Sequence, residues 1–112
     1  MSATKVRAEL ERLAEIGNRS IHNGPRRIAE ELRRHGVKGT RYEARSCPLA
    51  IHLSRFAGEA PVEVGVNEVT VGDDTIHFLK PTRDLSVVQD FVCDVDSGRF
   101  SYLLTPEGGE PR

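Results

Sequence analysis

The sequence predicts a single α+β domain: three N-terminal helices, a small antiparallel three-stranded meander, and a C-terminal helix packed on the sheet. Three observations point there. Apolar residues recur at helical spacing through the first half, at Val6, Leu10 and Leu13 and again at Ile28, Ala29 and Leu32. The period then switches to two: Val62, Val64 and Val66, then Val69 and Val71, then Ile76 and Phe78 alternate with other residues. Helical spacing returns at Leu85, Val88, Phe91, Val92 and Val95. A chain of 112 residues suffices for one such domain. A domain of this length buries roughly 65% of the surface its unfolded chain exposes, so it needs neither disulfide nor metal to hold a core. With four Phe, two Tyr and no Trp, that core should be mostly aliphatic.

The elements follow in order. Residues 3–16 read as a helix that Gly17-Asn18 ends, since both residue types tolerate a left-handed backbone. Its apolar stripe is narrow. Residues 1–18 are therefore read as an N-terminal helix that is a candidate docking or dimerisation arm. Residues 19–25 are a linker; Pro25 opens a second helix where a missing N–H costs nothing, and Gly36 stops it. Residues 37–45 form a loop. Ser46 is the expected N-cap of a third helix, about 48–57, with Leu49, Leu53 and Phe56 inward and Ile51, His52, Ser54 and Arg55 on its remaining face. The meander turns near Asn67-Glu68 and at residues 72–75. Residues 80–84 lead into a fourth helix over about 84–96, and residues 99–104 return apolar side chains to the core. The whole domain spans 19–104, and residues 105–112, without apolar periodicity, form a flexible tail.

Charge is divided along the chain. Residues 1–56 hold 12 Lys or Arg against 6 Glu, a net +6; residues 57–112 hold 4 against 11 Asp or Glu, a net −7. Either the halves neutralise each other on folding, or the asymmetry marks polar partner surfaces. No apolar run approaches the ~18 residues of a membrane span. The N-terminal stretch is charged throughout and has no apolar h-region, so it is not read as a signal peptide. Cys47 and Cys93 lie far apart without a CxxC pair. The expectation is a cytoplasmic chain with reduced thiols and no membrane contact.

Residues 28–56 carry the most suggestive pattern. Three helices followed by a hairpin is the order of many winged-helix domains, and "IAEELRRHGVKGT" has the spacing and glycine turn that join two helices of such a motif. Arg26, Arg27, Arg33, Arg34, Lys38, Arg41 and Arg45 form a basic strip suited to phosphates or to an acidic protein. Against a nucleic-acid reading, the candidate recognition helix has one firm cation, Arg55. The candidate wing carries Glu63, Glu68, Asp73 and Asp74 with no Lys or Arg between Arg55 and Lys80.

Cys47, at a helix start beside Arg45, is a candidate reactive thiol, because N-terminal N–H groups favour the thiolate; the alternative is a small residue with its sulfur in the core. Cys93 falls on the back of its helix. His22, His35, His52 and His77 are scattered over different elements, so no metal site is expected. Asp94, Asp96 and Gly98 echo a calcium loop, but Thr105 stands where that loop needs a Glu. There is no Gly-rich phosphate loop, HExxH or GxSxG, and no catalytic residue, cofactor or small-molecule substrate is expected.

"CPLAIHLSRF" (residues 47–56) and "SVVQDFVCDVDSGRFSYLL" (residues 86–104) together resemble a family of small uncharacterised actinobacterial or actinophage proteins, with a Cys-Pro-x-Ala helix and a closing Phe-Val…Asp-x-Gly helix. The resemblance covers about residues 25–104 and agrees with 13 Arg against 3 Lys. It implies no activity and no functional residues. The leading expectation is a small non-enzymatic regulatory or adaptor domain acting through protein–protein contacts. Its partner, another protein or a second copy, would dock on Val6, Leu10 and Leu13 or on the basic strip. A winged-helix-like DNA-binding protein using residues 26–45 is the alternative, and a thiol sensor through Cys47 the third reading.

Overall fold

The architecture comes from a computed structural model, which describes residues 2–20, 22–40, 43–80 and 83–104. The expected tail and Arg41 lie outside the described residues. The fold is α+β. In chain order come α1 (Ser2–Asn18), α2 (Gly24–Arg34), α3 (Pro48–Ser54), β1 (Val62–Val64), β2 (Glu68–Val71), β3 (Asp74–His77), a two-stranded hairpin of β4 (Leu79–Lys80) and β5 (Arg83–Asp84), α4 (Ser86–Asp96) and a 3-10 turn, Ser101–Leu103. None of the described helices is long and apolar enough to cross a membrane.

α1 is the hub rather than an arm. Its stripe of Ala3, Val6, Leu10, Leu13 and Ala14 is buried, with Val6, Leu10 and Leu13 at 0% exposure. It meets α2, α3, α4 and β2. A stripe that looked narrow from its aliphatic residues is widened by Glu9 and Gly17, both also buried. Gly17 does not turn the chain left-handed; the helix runs on through Asn18. A Cβ there would stand 2.8 Å from Val87 Cγ2, and one at Gly24 would stand 2.7 Å from the same methyl and 3.0 Å from the Gly17 oxygen. The two glycines let the end of α1, the start of α2 and the start of α4 meet at one point.

α2 buries Ile28, Ala29 and Leu32 and stops as its sequence predicts. Gly36 has φ 71°, the Gly36 N–H donates to the Arg33 oxygen, and the N–H of buried Val37 donates to the Leu32 oxygen. That is the Schellman closure, which satisfies carbonyls the helix leaves unpaired. α3 is shorter than expected, and its N-cap is Cys47, not Ser46: the Ala50 N–H donates to Cys47 Sγ at 3.5 Å.

The sheet is a meander in the order β1-β2-β3. Val62 pairs with Val71, Val64 with Val69, and Val69 with Ile76, so Val62, Val64, Val69, Val71 and Ile76 make one buried apolar face, with Asp74 at its turn end exposed. Val66 lies beyond β1 in the turn and is 51% exposed, so the run of alternation ends one residue pair earlier than its sequence suggests. The β4–β5 hairpin was not expected, because two-residue strands are too short to display a period. α4 does not lie chiefly on the sheet. Its Val87, Val88, Phe91, Val92 and Val95 are buried, and its main contacts are α1 and α2, while α3 and α1 meet β1 and β2. Helical periodicity gives α4 an apolar face but cannot say which neighbour covers it. Gln89 reaches the β1–β2 turn, donating to the Val66 oxygen at 2.9 Å and to Asn67 Oδ1 at 3.1 Å. The closing segment does return to the core: Leu103 is fully buried, and the Gly39 N–H donates to its oxygen.

The three-way junction sets a test. Gly24→Ala gains helix propensity but must displace Val87, a stiff buried side chain, and crowd a backbone oxygen. The overpacking outweighs the propensity gain, and a net loss of about 1–2 kcal/mol is expected in urea unfolding.

Candidate functional site

Two groups of side chains stand out: a charged cluster among the three N-terminal helices, and the outer face of α2 with the aromatic residues beside it.

The cluster is centred on Glu9. Its position on α1 is three residues after Val6 and four before Leu13, so the helix carries the carboxylate inward, where it is 5% exposed. His52 on α3 is 2% exposed, and its Nε2 lies 2.6 Å from Glu9 Oε2. Arg12 donates to both Glu9 oxygens, from Nε at 2.8 Å and Nη2 at 2.7 Å, and its Nη1 stands 2.9 Å from Glu31 Oε2 on α2. His35 Nε2 is 3.1 Å from the same Glu31 oxygen. The His35 and His52 rings are 5.6 Å apart, and Phe56 meets His52 edge-on at 5.4 Å. Burial alone would raise the Glu9 pKa. The Arg12 guanidinium and the His52 ring outweigh it and hold the carboxyl down at about 2. At Glu31, burial is likewise overcome by Arg12 and His35, and the pKa is lowered.

A carboxylate on a histidine is also half of a nucleophilic site. Here the other ring nitrogen, His52 Nδ1, is buried and has no hydrogen-bond partner among the described residues. The cluster is a structural tie. Sequence reasoning placed His52 on the exposed face of α3. The missed signal is Glu9, an acid at an inner position of an otherwise apolar stripe, which requires a buried partner.

The outer face of α2 exposes Arg26, Arg27, Glu30, Arg33 and Arg34. Arg33 lies over the Tyr102 ring, 5.0 Å from its centroid, in cation–π geometry. Tyr102 tilts against Phe100 at 6.3 Å, and Phe100 stacks on buried Phe91 at 5.9 Å. Phe100 holds φ 57°, ψ 48°, a left-handed conformation that costs a bulky residue on the order of 1–2 kcal/mol. Stacking on Phe91 keeps it there and props Tyr102 beneath Arg33. Burial pushes the Tyr102 hydroxyl up, with Glu30 adding to it, so the ring stays neutral. Beside this stack a groove of about 640 Å³ runs between the start of α2, α4 and the 3-10 turn. Its charges are mixed: Arg26 and Arg99 face Asp90 and Asp94, with Arg99 Nη1 4.0 Å from Asp94 Oδ2.

The basic strip is thus divided. Arg26, Arg27 and Arg33 are exposed cations, and Arg34 is exposed with a 3.5 Å contact to Glu31. Lys38 is exposed in the following loop. Arg45 is clamped by Glu63, with Nε and Nη2 each 2.7 Å from Oε2. Val6, Leu10 and Leu13 are core residues and offer no docking face. α3 buries Pro48, Leu49, Ala50, His52 and Leu53, leaving Ile51 half-buried and Ser54 exposed. Cys47 is buried, and that burial raises its thiol pKa against the helix N–H groups that would lower it. This is the opposite of a reactive cysteine. Cys93 is the exposed thiol, at the rim of the groove. Among the described residues no cluster of His, Cys, Asp or Glu is placed to hold a metal.

Two outcomes are expected. Glu9 is held below its unfolded value of 4.5, so its stabilisation is complete above that pH and is lost as pH falls toward about 2. Glu9→Gln should flatten that acid limb and cost roughly 3 kcal/mol at neutral pH, because it breaks a buried pair; chemical denaturation across pH measures both. In thiol titration of the native protein, Cys93 should react at once and Cys47 only on unfolding. No protein-family model, curated protein or solved structure matches the chain.

Proposed function

We propose that this chain is a small non-enzymatic regulatory or adaptor domain that works through protein–protein contacts, and that its docking surface is the outer face of α2 with Tyr102. The observation that carries this reading is the arrangement of Arg26, Arg27, Arg33 and Arg34 as adjacent exposed cations on one rigid helix, with Arg33 held over Tyr102. Arg and Tyr are enriched among the residues that dominate the energetics of protein interfaces, because each brings apolar area together with directional hydrogen bonding. A guanidinium already seated on a ring loses less freedom on binding than a solvated one. Among the described residues Glu30 is the exposed acid of this face, and four Arg against it select an acidic polypeptide segment as partner. The buried Glu9–His52 pair is closed to substrate and adds nothing to this surface.

DNA binding through the same strip is the second reading. It is disfavoured by the burial of α3 and by the acidic meander that would serve as the wing. One titration separates the two. A labelled Glu/Asp-rich peptide should bind with salt-sensitive anisotropy, and Arg33→Glu/Arg34→Glu should weaken it at least about tenfold, the loss of roughly 1.4 kcal/mol. A mixed-sequence duplex should not bind at low salt, where counterion release favours it most. Duplex binding lost in the double variant, with no peptide binding, would transfer the strip to nucleic acid.

A further inference from the structure

We propose that the acidic partner of the α2 face is the β1–β3 meander of a second copy of this chain, so that the protein associates with itself head to tail. The proposal rests on the docking reading above and names its occupant.

The argument begins with where charge goes on folding. Residues 1–56 carry +6 and residues 57–112 carry −7, and most of the ion pairs seen among the described residues lie within one half. Arg45–Glu63 joins the halves, but Arg12 with Glu9 and Glu31, Arg19 with Glu15, and Arg34 with Glu31 stay within the basic half. Glu68 with His77 and Arg99 with Asp94 stay within the acidic half. α2 packs on α1, α3, α4 and the 3-10 turn, leaving its arginines outward. On the meander, Asp73 and Asp74 are exposed at the β2–β3 turn, and Glu59 is exposed just before β1. None of these three has an ion-pair partner among the described residues. Asp74 opens β3, an edge strand of the sheet.

One molecule therefore displays a cationic helix and an anionic turn that do not satisfy each other. With a net charge of −1, two copies meet little overall repulsion, and chains near neutrality associate readily. A second copy supplies the complementary surface at the same concentration as the first. Pairing α2 with the partner's meander uses two different patches, so the contact is heterologous and can repeat along a chain of copies. Exposed ion pairs are individually weak, so the association should be weak and strongly salt-dependent. The Debye length of about 30 Å at 0.01 M salt falls to about 3 Å at 1 M, which switches the attraction off.

Sedimentation of the full chain tests this by charge exchange. The weight-average mass should rise with concentration at low salt and return to monomer at high salt. Arg33→Glu/Arg34→Glu alone and Asp73→Lys/Asp74→Lys alone should each stay monomeric. An equimolar mixture of the two should associate again, because each variant then carries what the other lacks. Monomer at low salt up to the highest soluble concentration overturns the proposal. So does association unchanged in both variants, or a mixture that stays monomeric while the parent chain associates. The same stocks titrated with the acidic peptide separate the two levels. A monomer that binds the peptide through Arg33 and Arg34 removes only the second copy, while loss of both removes the docking reading itself.

Discussion

Glu9 sits on the inner stripe of α1, and a carboxylate there cannot be left alone. Desolvating a charge without partners costs several kcal/mol, so the surrounding helices must bring it donors. α3 brings His52 and α1 itself brings Arg12, which also grips Glu31 on α2. The directional bonds of one buried anion thereby fix how three helices meet. Aliphatic packing between Val6, Leu10, Leu13, Ile28 and Leu49 supplies the bulk of the stabilisation, but it is tolerant of small rotations. A bidentate arginine and a 2.6 Å histidine contact are not.

The second constraint is close approach. Gly17 and Gly24 admit Val87 at the point where α1, α2 and α4 converge. With α4 drawn against the two N-terminal helices, the segment after it is delivered beside α2. That delivery places Phe100 on Phe91 and Tyr102 under Arg33. The surface proposed to bind a partner thus depends on two glycines that never touch it. The strained backbone of Phe100 is maintained by the same packing, in keeping with the tendency of strain to persist where surrounding structure over-determines it.

The outer surface follows a different logic from the core. The acids with structural work, Glu9 and Glu31, are consumed inside the helical layer. The arginines of α2 and the acids of the β2–β3 turn are left to solvent. Charge that folding does not use is available for recognition. The proposed self-association draws on its segregation between α2 and the β2–β3 turn.

The sequence alone determined the α+β class, the period switch at residue 62, the Gly36 stop and the split of charge, because each is a local property of spacing or composition. It also located the arginines of α2. The Glu9 signal was present but unread, since an acid in a helix is ordinarily solvated. Tertiary structure decided the rest. It turned Val6, Leu10 and Leu13 from a candidate docking face into core, because burial depends on which elements arrive around a stripe. It buried Cys47 and so raised its thiol instead of activating it. It joined Glu9 to His52 across 43 positions, and Arg33 to Tyr102. Such pairs are set by how helices cross, and crossing geometry arises from packing among all the elements, which no local window contains.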